Sequence, residues 1–130
     1  MNELYPQKKY LIKTDLCPDL RSVPCDPDKI KQVFINLVSN GIESMEDGGT
    51  ITIVTKNRPD GIEIQTKDEG VGIREEDLLR IFEPFYTTRE RGSGLGLTIS
   101  YNIVQAHKGE IKAFSTPGRG TTFAIWLPLK

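Results

Sequence analysis

The polar and apolar positions fall into runs of two periods. Residues 9–16 read as a strand, and the Pro-punctuated run DLCPDLRSVPCDPDK over 15–29 can hold at most another short one. A helix is predicted next, with Asp26 as N-cap and Pro27 at the first helical position. Its apolar residues, Ile30, Val33, Phe34, Leu37, Ile42 and Met45, recur at helical spacing, and the turn Asp47-Gly48-Gly49 should end it. TITIVTKN and GIEIQTKD are β-branched alternating runs around Arg58-Pro59-Asp60-Gly61, which makes a hairpin. After the loop of Gly70 and Gly72, REEDLLRIF suits a short helix, whereas EPFYTTRERGSG lacks apolar periodicity and reads as a loop, a candidate mobile lid over residues 83–92. Residues 95–107 carry a helical pattern through Leu97, Ile99, Ile103 and Val104, stopped by Gly109. Two closing strands, GEIKAFST and TTFAIWLPL, flank Pro117-Gly118-Arg119-Gly120. The expected class is α+β: a two-layer α/β sandwich with a mixed, mostly antiparallel sheet of about five strands and about three helices on one face.

Composition narrows the picture. A chain of 130 residues suits one compact domain over 1–130, with no internal repeat or linker. Basic and acidic residues balance, 17 against 18, so no overall field points to nucleic acid or an anionic membrane, and any bound anion must be met by a local cluster. Cys17 and Cys25 have no metal-ligand spacing and read as reduced cytosolic thiols. No apolar stretch approaches the roughly 20 residues of a membrane span, and MNELYPQKKY lacks the apolar core of a signal peptide. The expectation is a soluble, cytoplasmic chain.

Candidate chemistry lies in three places. Gln32, Asn36, Asn40 and Glu43 share one side of the first helix, beside its apolar face. Asn is a mediocre helix former, so two of them at i and i+4 are either solvated surface or functional, an amide oxygen being a hard ligand suited to Mg²⁺. Asp68-Glu69-Gly70-Val71-Gly72 closes a strand. It is either an ordinary turn or a carboxylate that accepts from an exocyclic amine such as adenine's, with glycines that let the backbone approach a flat ring. Gly92-Ser93-Gly94-Leu95-Gly96-Leu97 leads into a helix, so free amides and a positive dipole end form a phosphate cradle, with Arg89 and Arg91 just before it. No Gly-Lys-Ser/Thr follows, which excludes a P-loop, and GxGxxG spacing is absent.

In this order the elements resemble the ATP-binding catalytic domain of sensor histidine kinases, in the superfamily shared with gyrase, heat-shock chaperone and mismatch-repair ATPases. QVFINLVSNGIESM looks like the N box, DEGVGI the first glycine box, FEPFYTT the F box, GSGLGL the second glycine box and GRGTTF the last, and the resemblance runs over residues 26–128, most of the chain. SNGIESM and FYTTRERGSGLGLTI look most like the nitrogen-regulatory type. The resemblance implies Mg²⁺ and ATP as cofactors, an adenine contact at Asp68, a Mg²⁺ ligand at Asn40 and a supporting polar contact at Asn36. It implies that Gly70, Gly72, Ile73 and Thr121 line the base. Thr88, Arg89, Arg91, Gly92, Gly94, Leu95, Gly96 and Leu97 belong, by the same resemblance, to the phosphates.

Three departures stand out. Glu43 occupies the place of a common lysine, so Arg89 is the expected substitute for its phosphate contact; Arg89 itself stands where related lids often have lysine. Gly41 replaces a more usual alanine at about 1 kcal/mol in helix propensity. Asn36 stands where the hydrolysing branch has a glutamate base. An amide cannot take a proton from water, whereas a neutral imidazole needs no deprotonation, which favours transfer to histidine over ATP hydrolysis. The alternatives are an ATP hydrolase or serine kinase of the same superfamily, or an ATP-binding module without transfer. His107, the only histidine, reads as a packing or capping residue near the end of its helix. The phosphoacceptor is therefore expected on a separate histidine-bearing dimerisation domain of a parent kinase, with a response regulator as indirect partner. The chain itself is expected to be an excised domain or split protein, monomeric in isolation, touching neither nucleic acid nor membrane, and cytoplasmic even if its parent is membrane-anchored.

Overall fold

A computed structural model of the protein describes residues 9–83 and 96–130. Along the chain run β1 (Lys9–Asp15), α1 (Pro27–Ser44), β2 (Gly48–Arg58), β3 (Gly61–Lys67), α2 (Glu75–Leu78), α3 (Gly96–Ala106), β4 (Glu110–Thr116) and β5 (Gly120–Pro128). The strands form one sheet in the order β1-β2-β3-β5-β4. β1 runs parallel to β2, and the other three neighbouring pairs are antiparallel. The expected mixed, mostly antiparallel sandwich is the observed one. The run between residues 16 and 26 holds no strand.

α1 begins as its sequence dictates. Asp26 is extended, and its carboxylate accepts from Asp28 N and Lys29 N at 3.1 and 3.3 Å, pairing two of the amides a helix start leaves open. The helix stops at Ser44, before the expected Asp47-Gly48-Gly49 turn. Met45 leaves helical geometry with its side chain buried, and its carbonyl accepts from Gly48 N at 3.1 Å and the Tyr10 hydroxyl at 2.9 Å. The glycines, at φ 97° and 151°, already pair with Lys9 and Tyr10 of β1, so β2 starts two residues earlier than its alternation suggests.

The core lies between one sheet face and the helices. Ile62 and Ile64 of β3, Phe123, Ile125 and Leu127 of β5 and Ile111 of β4 pack with Val33 and Leu37 of α1 and Val104 of α3. The period of two in β5, with Ala124 and Trp126 only half-buried between those residues, follows from one covered face. Two details go beyond the sequence pattern. Of REEDLLRIF only four residues are helical, followed by turns, with Ile81 the buried anchor. Ile99 is 38% exposed and lies off the core face of α3. No helix among the described residues is long and apolar enough to cross a membrane.

The end of α3 differs from expectation in a telling way. Lys108 N donates to the Gln105 carbonyl at 2.9 Å and Gly109 N to the Val104 carbonyl at 3.0 Å, so Lys108 is the residue that turns left-handed, at φ 61°. Gly109 is needed for another reason: a Cβ there would collide with the Trp126 carbonyl of β5. His107 is a bridge. Its Nδ1 lies 2.7 Å from the Ile103 carbonyl, which can only accept, so Nδ1 carries the proton and Nε2 accepts from Asp26 N at 3.0 Å. The end of α3 is thereby joined to the start of α1. Because a Cβ in the left-handed region is strained, Lys108→Gly should raise stability by about 1 kcal/mol. Urea unfolding should show a higher midpoint at unchanged slope; a lower midpoint would mean that the lysine side chain contributes more than its backbone strain costs.

Candidate functional site

Asp68 follows directly on β3, where three segments meet. Its Oδ1 accepts from Gly70 N at 2.9 Å and from Thr121 N at 3.2 Å, while Asp68 N donates to the Thr121 carbonyl at 2.9 Å. The carboxylate thus fastens the loop after β3 to the start of β5. Burial pushes its pKa up, and the backbone bonds from Gly70 and Thr121, with the Ser44 hydroxyl, only partly offset that. A half-buried carboxylate whose burial outweighs its hydrogen bonds is a group with binding capacity in reserve.

The glycines around it are explained by protein contacts. A Cβ on Gly70 would collide with Ser44, one on Gly72, at φ 79°, with the Thr116 carbonyl, and one on Gly120, at φ 112°, with the Asp68 carbonyl. These protein contacts are by themselves enough to require glycine at 70 and 72. Gly41 has its account here too. A Cβ would stand 3.2 Å from Ile51 Cδ1 and 3.3 Å from Asp68 Cβ, so glycine lets α1 close directly onto the aspartate. Ser115 completes the corner: its hydroxyl accepts from Ile73 N at 2.6 Å, donates to the Gly120 carbonyl at 3.0 Å and lies 2.9 Å from the Thr121 hydroxyl. Glu69, exposed, accepts from Thr50 N at 3.0 Å. Ser44 and Ser115 were given no role from sequence; a serine at a helix end or in a strand carries no signal until its neighbour is known.

The polar stripe of α1 deepens along the helix. Gln32 is exposed, Asn36 half-buried and Asn40 buried at 9% exposure, with Glu43 exposed beyond it. Asn36 Nδ2 donates to the Gly96 carbonyl and to Ser100 Oγ, both at 3.2 Å, which ties α1 to the first turn of α3. Among the described residues the Asn40 amide has no hydrogen-bond partner. Solvated surface thus describes Gln32 but not the asparagines. Gly96 opens α3, and Leu97 packs against the core, so only its backbone can face a ligand. Thr88, Arg89, Arg91, Gly92, Gly94, Leu95 and the lid assigned to 83–92, apart from Glu83, lie outside the described residues.

Two polar corners therefore adjoin α1: the Asp68 corner against its C-terminal half, and the Asn36 seam against α3. Residues 25–130 match the family of histidine kinase-, DNA gyrase B- and HSP90-like ATPases. The chain belongs to this family. It is 48% identical over 120 residues to sporulation kinase E of Bacillus subtilis strain 168, covering 92% of this chain and 16% of that protein. To the sensor histidine kinase ZraS of Escherichia coli K12 it is 39% identical over 110 residues, covering 85% of this chain and 24% of that protein. The catalytic domain of the histidine kinase ThkA in a nucleotide-free form superposes with a TM-score of 0.79 at 35% identity, over 95% of this chain and 80% of that one. The chain spans a quarter or less of the curated relatives named here. Within the ATPase family it is a catalytic domain of the histidine kinase type, and it binds ATP.

In this histidine kinase-type domain the raised pKa of Asp68 fixes the sign of a stability effect. Below the ordinary aspartate pKa both folded and unfolded chains are protonated at this position, and nothing is lost. Between that value and the raised one only the folded chain keeps the proton, so stability falls as pH rises through the window and the deficit is complete above the raised value. Asp68→Asn retains an oxygen for Gly70 N and Thr121 N and cannot ionise. It should raise the thermal midpoint of the free domain at pH 7 and give no gain in acid below the ordinary aspartate pKa; a gain that grows toward low pH would contradict the assigned cause.

Proposed function

We propose that this domain binds Mg-ATP with the base against Asp68 and presents the γ-phosphate to a histidine on a separate dimerisation and phosphoacceptor domain, in two-component signalling. The observation that supports it most is Asn40. A buried amide without a partner costs about 1–3 kcal/mol, and a folded chain tolerates that where a ligand completes the pairing. Its oxygen suits Mg²⁺, which takes hard oxygen ligands and otherwise keeps water and phosphate oxygens. Mg²⁺ held there would neutralise charge on the transferring phosphate. Sulfur or nitrogen ligands are not required.

The chain's own residues divide the work. Asp68 accepts from the exocyclic amine, with Gly70, Gly72, Ile73 and Thr121 around the base. Gly96 and Leu97 offer backbone amides at the positive end of α3, an 11-residue helix. Thr88, Arg89, Arg91, Gly92, Gly94 and Leu95 are assigned to the phosphates from sequence alone. Asn36 holds α3 in place and, being an amide, activates no water, which favours an imidazole acceptor over hydrolysis. His107 is not that acceptor. Both its ring nitrogens are engaged, and it follows Gly96 by 11 residues, roughly 16 Å along the helix at ~1.5 Å per residue. In-line transfer requires approach to about 3–3.5 Å. The partner we assign is a histidine-bearing helical domain of a parent kinase, with a response regulator downstream; the subtype is nitrogen-regulatory-like, and the setting cytoplasmic.

Titration of wild type and Asn40→Ala with ATP and with adenosine, with and without Mg²⁺, tests this. The substitution should cost at least about tenfold in Mg-ATP affinity, the weight of a lost charge-assisted contact, while adenosine binding stays. Mg²⁺ dependence that survives Asn40→Ala would overturn the metal assignment. Incubated with γ-labelled ATP, wild type should stay unlabelled and should place an acid-labile, base-stable phosphate on the parent's histidine hairpin. Stoichiometric label on His107 would refute the transfer geometry.

A further inference from the structure

Ser100 lies one turn into α3 and has no exposed surface. The apolar packing of α1 against α3 does not call for a hydroxyl there, and a buried hydroxyl is kept only with a partner. That partner is Asn36, whose Nδ2 sends one hydrogen to Ser100 Oγ and the other to the Gly96 carbonyl, each at 3.2 Å. A backbone carbonyl can only accept, so the amide must turn its nitrogen toward α3. Both hydrogens are then used. Oδ1 is the one polar atom Asn36 has left, and among the described residues nothing pairs with it. Asn40, four residues on and on the same side of α1, is buried and likewise without a partner among the described residues.

From this arrangement we infer that Ser100 is a positioning residue, which acts through Asn36 to fix the amide so that its oxygen stands beside Asn40 on the metal-facing side of α1. The inference rests on the Mg-ATP reading above and adds a residue to it. Without the Ser100 oxygen, one amide hydrogen of Asn36 loses its acceptor in a half-buried seam. The side chain is then held at a single point, the Gly96 carbonyl, about which it can swing. A residue that merely filled space at position 100 would have no such effect on a group on the neighbouring helix.

The test is a double-mutant cycle on Ser100→Ala and Asn36→Ala, read by titration with ATP in the presence and absence of Mg²⁺, with adenosine, and by thermal midpoint. Ser100→Ala should reduce the Mg²⁺-dependent gain in ATP affinity by about fivefold, the weight of one hydrogen bond, with adenosine affinity unchanged. In the Asn36→Ala background the same substitution should change that gain no further. An unchanged gain in Ser100→Ala, an equal loss for adenosine, or an effect that persists in the Asn36→Ala background each overturns the inference. A wild type whose ATP affinity shows no Mg²⁺ gain overturns the Mg-ATP reading and this inference with it, whereas a normal wild-type gain that Ser100→Ala leaves intact removes the inference alone.

Discussion

α1 has to meet two surfaces at once, and the rest of the site depends on how it does so. Its apolar stripe, with Val33 and Leu37 fully buried, is pressed against the sheet, which fixes the helix in rotation. That rotation leaves Asn36 and Asn40 in the seam beside the stripe, neither in the core nor in open water. The seam needs a second wall, and α3 supplies it through Gly96 and Ser100. At the opposite end the His107 bridge to Asp26 closes the same helix pair. Two polar fastenings, one at each end of an apolar contact, set the register of α3 against α1, and with it the place where the α3 amides emerge.

The C-terminal half of α1 meets a different constraint, close approach of backbones. Gly70, Gly72 and Gly120 each remove a side chain that would strike a neighbour at the Asp68 corner, and Gly41 relieves a tight fit against Ile51 and Asp68. The corner is dense, yet its central carboxylate is kept at a loss, since burial raises its pKa despite two backbone hydrogen bonds. The same pattern appears at Asn40, a buried amide left without a partner among the described residues. Groups of this kind lower the stability of the free fold and are retained where a ligand repays them. Both lie at the C-terminal half of α1, Asn40 on the helix and Asp68 packed against the neighbouring Gly41, where the proposed nucleotide would meet them.

Much of this was readable in the chain. Local signals worked where the cause is local: the Asp26-Pro27 cap, the β2–β3 hairpin and the period of two in β5 need no tertiary knowledge. The asparagine stripe also stood out, because it breaks a helix-propensity rule, and DEGVG because a carboxylate and two glycines close a strand together. What stayed hidden depends on contacts far along the sequence. Gly109 looked like a helix stop, but its need arises from the Trp126 carbonyl, and the left-handed turn falls on a lysine. Gly41 had no visible purpose until Asp68 was seen against it, 27 positions away. Ile99 fitted the helical period yet stands outside the core, because the apolar stripe of α3 is narrower than its run of apolar residues.

The central claim is that Asp68 reads the base and the α1 seam holds the phosphates, so the most direct measurement compares nucleotides that differ only at the base. Calorimetric titration of the wild-type domain with ATP and with GTP, both with Mg²⁺, changes the base edge offered to the carboxylate: at C6 adenine donates a hydrogen, whereas guanine presents an acceptor. ATP should bind at least about tenfold more tightly, since a buried acceptor facing another acceptor loses its hydrogen bond and its desolvation is not recovered. Equal affinity for ATP and GTP would contradict the account.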